Sequence, residues 1–341
     1  MRPLLHPFLV NGRTGDPALY IETLFEKGAI MFDLGDLTDL SPRKILRLEH
    51  VFVSHAHIDH FFGFDRLLRF LVGRDKVVRL YGPAGFIGQV HHKLAAYRWN
   101  LVDRFADDLV FVVAEVDREP DPKVRTAQLR LKTGFTVEPM KADSFADGLL
   151  HAQPNFQVRA AVLEHGTPCL AFAAQETAHV NVWKNRLSDL GLPVGPWLRG
   201  LKRALLEGRP DDYPIEIGAG AKATSPRAAP LGALRATATV TPGQKIGYVT
   251  DAADTAANRE AIVRLVRNAD LLYIEAPFAE ADTAIAADRS HLTTAAAGSI
   301  AREAGVRRVE PFHFSPRYAG EDARLIGEVL ARFSGAAAKS A

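Results

Sequence analysis

The stretch VFVSHAHIDHFFGF, residues 51–64, places three histidines and an aspartate within six positions. An apolar run, Val51 to Val53, leads into it, and apolar residues at helical spacing follow from Phe61. That order reads as a strand that ends in a polar loop and then starts a helix. Imidazoles and a carboxylate crowded beside a core are costly to bury without a shared partner, and a metal is the simplest one. A fold for this chain must therefore bring a strand end and a loop to one point.

Other strand ends carry residues of the same kind. Short apolar runs predict strands at 29–34, 50–55, 77–82, 109–116, 158–165, 169–174, 245–251, 271–276 and 307–314. Helical patterns cover 61–72, 83–98, 255–267, 293–304 and 321–333. Together they predict an α/β domain with more than one sheet. His55, His165, Asp251 and His313 fall at the carboxyl ends of four of these strands, where ligand sites of α/β folds gather. With His57, Asp59 and His60 they make seven nitrogen and oxygen donors. Seven exceed the needs of one tetrahedral zinc and suit two metals sharing a bridging carboxylate.

Composition narrows the class. Of 341 residues, 47% are hydrophobic and 24% charged, as in ordinary globular proteins. No apolar run reaches the roughly 18–20 residues of a membrane span, and the first residues lack a secretory pattern. The single cysteine, Cys169, excludes an internal disulfide and a thiolate cluster. These features favour the cytoplasm and no membrane partner. A net charge of +2 neither supports nor excludes a phosphate-rich partner.

The H-x-H-x-D-H cluster after a short apolar strand resembles the signature of the metallo-β-lactamase superfamily. Within it the chain is similar to ribonuclease Z, the endonuclease that processes tRNA 3′ ends. IMFDLG (30–35), EHGTPCLAF (164–172), SHLTTAAAGSIAREAGVRRV (290–309) and FHFSPRY (312–318) resemble that family's motifs. The chain departs from the pattern at Ile274, Pro277 and Leu292 and around Asp251.

The resemblance implies an αββα sandwich with an inserted arm. The catalytic domain would span 1–333, with a protruding arm over about 176–215, a loop-rich segment over 219–243 and a disordered tail at 334–341. His55, His57, His165 and Asp251 would hold one zinc. Asp59, His60, His313 and the shared Asp251 would hold the other, with Mn²⁺ or Fe²⁺ as alternative metals. His291 would be the general acid and Glu275 its orienting carboxylate, with Asp59 counted among the catalytic groups. Arg199, Lys202 and Arg203 in the arm, and Ser315 and Arg317 near the last motif, would contact substrate.

The implied activity is a dinuclear zinc phosphodiesterase that removes the 3′ trailer of precursor tRNA, with RNA as partner and a homodimer as assembly. One alternative is hydrolysis of a small phosphodiester, such as a cyclic nucleotide, or of another ester. A less favoured one is an iron-dependent oxidoreductase, for which no flavin or dinucleotide fingerprint speaks. The segment at about 97–135 receives no role.

Overall fold

The computed structural model describes residues 3–24, 27–117, 122–217 and 227–335. Strands β1 (Leu5–Leu9), β2 (Leu19–Thr23), β3 (Ala29–Phe32), β4 (Leu48–Phe52), β5 (Lys76–Pro83), β6 (Leu109–Val116), β7 (Lys123–Arg130) and β8 (Val137–Pro139) lie side by side in that order. The short β9 (Asp143–Ser144) also pairs with β7. From β3 to β6 neighbours run parallel, and each such step needs a crossover. Helices supply them: α1 (Pro42–Arg47), then α2 (Ile58–Phe61) with α3 (Phe64–Leu71), then α4 (Phe86–Ala95).

The second sheet begins with β10 (Leu149–Ala152), β11 (Phe156–Glu164) and β12 (Pro168–Glu176). The chain next forms β13 (His179–Val182), α5 (Lys184–Asp189), α6 (Leu198–Leu206), β14 (Pro214–Ile217), β15 (Arg227–Pro230), α7 (Leu231–Arg235) and β16 (Ala238–Thr241). It returns with β17 (Lys245–Val249), α8 (Ala256–Val266), β18 (Leu271–Glu275), α9 (Thr283–Asp288), α10 (Thr294–Glu303), β19 (Val309–Phe312) and α11 (Asp322–Ser334). The second sheet runs β10-β11-β12-β17-β18-β19.

Strand alternation explains the layering. Side chains of one strand point to opposite faces, so each central strand feeds two cores. In β3, Ile30 and Phe32 face the second sheet's Phe172 and Tyr248, while Ala29 and Met31 join Phe64, Leu67 and Val90 of the helices. In β12, Leu170 and Phe172 face the first sheet, and Cys169 and Ala171 pack with Ile262 and Ile300. Phe32 and Phe172 stack across the sheets at 5.3 Å. Helices, sheet, sheet and helices therefore succeed one another, in agreement with the expected αββα sandwich.

All nine expected strands are present, the one at 109–116 with the expected ends and the other eight with shifted ones. The strand expected at 307–314 stops at Phe312, which leaves His313 in a loop. The helix expected at 61–72 divides at Gly63, and the one expected at 83–98 begins only after Gly85, whose φ is +92°. The segment at 97–135, which received no role, holds the expected strand β6 and the unexpected β7, which extend the first sheet.

Residues 176–243 form a compact unit distinct from 1–175 with 244–341. Its core is its own: Leu187, Trp197, Leu201, Leu205, Ile215 and Leu231 are buried together. The arm and the loop-rich segment expected from sequence both fall within it. Residues 219–226 lie outside the described residues, whereas 227–243 contain β15, α7 and β16 rather than loop alone. Of the expected tail, 336–341 lie outside the described residues, and Ser334 still belongs to α11. No helix among the described residues is long and apolar enough to cross a membrane.

Candidate metal centre

The carboxyl ends of the central strands deliver the donors. His55 and His57 lie in the loop after β4, and Asp59 and His60 belong to α2. His165 follows β11, Asp251 comes two residues past β17, and His313 follows β19. Asp251 stands between two groups. Its Oδ2 is 3.5 Å from His55 Nε2 and 3.2 Å from His165 Nε2, and His57 lies within reach of the same set. Its Oδ1 is 3.5 Å from His60 Nε2 and 3.0 Å from His313 Nδ1. Asp59 Oδ2 completes the second group at 3.4 Å from both His60 Nε2 and His313 Nε2.

These residues fit a metal on their hydrogen bonding as well as their spacing. Three buried ring atoms, His55 Nε2, His60 Nε2 and His313 Nδ1, have no hydrogen-bond partner. An orphaned buried acceptor costs the fold its desolvation, so three in one place call for a shared electrophile. Imidazole and carboxylate donors are those that divalent zinc, iron and manganese accept.

Outer contacts fix which nitrogen faces inward. Asp33, fully buried, accepts from the Ser54 N–H at 2.6 Å, the Ser54 hydroxyl at 2.9 Å, Tyr248 OH at 2.8 Å and His60 Nδ1 at 2.9 Å. A carboxylate can only accept, so His60 carries its proton on Nδ1 and presents a bare Nε2. Ser54 spends its one proton on Asp33, so His55 Nδ1, 3.1 Å away, donates to it and likewise bares Nε2. His165 Nδ1 donates to the Ser290 carbonyl at 2.8 Å. Three of the candidate donor rings are thereby held by partners behind them, as metal-binding histidines usually are.

The electrostatics point the same way. Burial pulls the His55 pKa down to about 2 and lowers that of His57. His60 and His313 go the other way: against burial, Asp251 raises both well above the usual range, helped by Asp33 for His60 and Asp59 for His313. Burial also opposes ionisation of Asp251, yet His313 and His60 hold its carboxyl well below the usual range. The carboxylates thus demand positive charge, for which protons and a cation compete.

Beside the donors, His291 Nδ1 donates to Glu275 Oε2 at 2.8 Å. Glu275 is fully buried, and its other oxygen accepts from Ala252 N at 2.9 Å and Leu292 N at 3.0 Å. Burial works against its charge, and the His291 and His313 rings together keep the carboxyl below its usual range. A cavity of about 220 Å³ opens here, with Asp16, Asp59, Phe278, Arg289, His291 and Ser315 in its wall. In that wall Asp16 is pushed up by burial and by Asp59.

Backbone strain gathers at the same place. Seven described non-glycine residues have left-handed φ, and four of them are Asp33 (57°), Asp251 (45°), Ser290 (57°) and His313 (60°). Such conformations persist only where surrounding contacts over-determine them, and they cluster at functional sites.

The structure therefore brings together His55, His57, Asp59, His60, His165, Asp251, Glu275, His291 and His313. Ser315 joins the cavity wall. Arg317 does not; it lies 4.0 Å from Asp282 and over the rings of Phe278 and Tyr318. Arg199, Lys202 and Arg203 are exposed on α6 of the 176–243 unit, with Leu201 and Leu205 buried on the opposite face. Sequence leaves Asp33 without a role beyond its motif and does not single out Ser54, Tyr248, Ser290 or Arg289.

No family model matches the chain. Ribonuclease Z of Deinococcus radiodurans is 31% identical to it over 94% of this chain and 93% of the relative. Ribonuclease Z of a Synechococcus strain is 29% identical over 88% of this chain and 80% of its own. Among solved structures, the metallo-beta-lactamase fold protein YhfI from Bacillus subtilis matches with a TM-score of 0.54 at 17% identity, covering 96% of this chain and 94% of that one. The short form of human tRNase Z matches with a TM-score of 0.52 at 18% identity, covering 92% of each. These two likenesses speak to the fold, and the first relative, alike along nearly the whole of both chains, speaks to descent: the chain belongs to the ribonuclease Z family.

Proposed function

We propose that the protein is a metal-dependent endonuclease that cuts the 3′ trailer from precursor tRNA, acts in the cytoplasm and holds two divalent cations, zinc by its donor set. One observation carries the reading: the two oxygens of Asp251 face two separate donor groups, with the His291–Glu275 pair alongside. Its membership of the ribonuclease Z family supports the substrate.

His55, His57, His165 and Asp251 would hold one cation, and Asp59, His60, His313 and Asp251 the other. Bound there, the cations would supply a hydroxide near neutral pH and offset charge on the phosphate oxygens. The chain's own groups do the rest. Glu275 accepts from His291 Nδ1, which fixes the ring's orientation and leaves Nε2 as the atom that exchanges protons. With Nε2 protonated, the ring is an imidazolium paired to Glu275, and it gives that proton to the 3′-oxygen as it leaves. Leu292 N and Ala252 N hold Glu275 in place, so the acid and its support move little.

The test is a paired assay of zinc-loaded protein on a 3′-extended precursor tRNA and on bis(p-nitrophenyl) phosphate, with His291→Ala beside the parent. Trailer cleavage should fall by about 10²–10⁴-fold in the variant, the usual range for loss of a general acid. Turnover of the small diester with the tRNA left intact would refute the RNA assignment and leave a hydrolase of small phosphodiesters.

A further inference from the structure

We infer that Arg289 is a substrate-binding residue whose guanidinium grips a phosphate of the RNA in the cavity beside His291. The inference rests on the endonuclease reading. Among the side chains lining that cavity, Arg289 is the only lysine or arginine; Asp16 and Asp59 supply negative charge. A polyanion entering such a cavity meets repulsion from the carboxylates, and one fixed cation in the wall offsets it.

The other arginines near the site are committed. Arg317 lies against Asp282, and Arg13 pairs with Glu310 and the Pro311 carbonyl. Arg289 makes no side-chain hydrogen bond or ion pair among the described residues, and it is exposed. Its backbone, by contrast, is fixed. Arg289 N donates to the Ile285 carbonyl at 3.1 Å, and the next residue, Ser290, is held left-handed with its carbonyl bonded to His165. His291 and Leu292 are both tied to Glu275. The same short segment thus presents the proton donor and, two residues earlier, a free guanidinium. A guanidinium fork matches two phosphate oxygens at once, which a lysine ammonium does not. A rigid base with an uncommitted head is how a clamp gains orientation without losing much entropy on binding.

The experiment measures binding and turnover separately. Binding of a fluorescent acceptor-stem hairpin with a 3′ trailer is followed from 50 to 300 mM KCl. It compares zinc-loaded His291→Ala, in which cleavage is slow, with the double variants that add Arg289→Ala or Arg289→Lys. Arg289→Ala should raise Kd about tenfold and reduce the slope of log K against log salt by roughly 0.7, the share of one single-strand phosphate contact. Arg289→Lys should restore the slope but only part of the affinity. In the otherwise unaltered enzyme, Arg289→Ala should raise KM more than it lowers kcat.

If Arg289→Ala leaves both Kd and slope unchanged while the parent enzyme cleaves the trailer, the clamp is wrong and the endonuclease stands. If Kd rises with no change in slope, Arg289 acts through packing and the clamp is again refuted. If the parent neither binds nor cuts the RNA, the functional reading fails and takes the clamp with it.

Discussion

The Asp33 carboxylate accepts four hydrogen bonds where no water reaches, and one donor is the Nδ1–H of His60. Asp33→Asn keeps the shape but turns one oxygen into an NH₂ that faces other donors. Metal affinity should fall about 10–100-fold, the usual cost of losing a partner behind a ligating histidine. Competition with a chelator would measure it; unchanged affinity in a folded variant would show that His60 needs no such support. His50 offers a second test away from the centre. Burial, with the tilted His151 ring 4.1 Å away, lowers its pKa to about 3. The unfolded chain takes up that proton near 6.5. The contribution is therefore full above pH 6.5 and is lost as pH falls toward 3, by up to about 1.4 kcal/mol per pH unit. The stability gap between the parent and His50→Gln, by urea unfolding, should narrow from pH 7.5 to pH 5. The candidate donors are legible in the sequence because H-x-H-x-D-H is dense and local. Asp33 has only a motif position there, because a lone carboxylate 21 residues away from its partner Ser54 carries no spacing that names a role.

At the scale of elements, the loop of β4 and the two helices after it show what periodicity misses. Apolar spacing over 61–72 is helical throughout, so by pattern alone it reads as one helix. The break at Gly63 comes from a contact: a Cβ there would stand 2.2 Å from the Gly35 carbonyl and 3.1 Å from that of Leu34. Gly63 N also donates to the Leu34 carbonyl, and Leu34 N to that of His60, so the Asp33 segment and the histidine loop are laced together. Gly63→Ala must push these backbones apart. It should destabilise the fold by about 1–3 kcal/mol, as overpacking does, and loosen metal binding with it. Calorimetry with and without zinc would check both, and a variant as stable as the parent would dismiss the close approach. The strand ends are legible to within a few residues for a related reason. Apolar runs stop where polar residues such as His165 and Asp251 begin, and that change of composition marks the boundary. A strand such as β7, KVRTAQLR, mixes charges with few apolar positions and leaves no such mark.

On the scale of the whole molecule, the unit at 176–243 enters between β12 and β17, which pair antiparallel with Gln175 opposite Lys245. Its two ends therefore leave the sheet side by side, and a two-residue Gly-containing turn can replace it. The shortened chain should fold and keep turning over bis(p-nitrophenyl) phosphate. Its kcat/KM on precursor tRNA should drop on the order of tenfold or more if Arg199, Lys202 and Arg203 reach phosphates. Undiminished tRNA cleavage would remove the unit from substrate binding. In the sequence this region stands out by its Pro, Gly and Ala content but not by its private core, because buried positions such as Leu187 and Leu231 are far apart in the chain. The donors at the centre divide by sheet: His55, His57, Asp59 and His60 come after β4, whereas His165, Asp251 and His313 come after strands of the second. A cation seated among them would buckle one half of the chain to the other. Its binding energy would then add to the docking energy of the sheets, so the reagent of the proposed reaction would double as a rivet, and a cell short of metal would hold a protein not only idle but easier to prise apart.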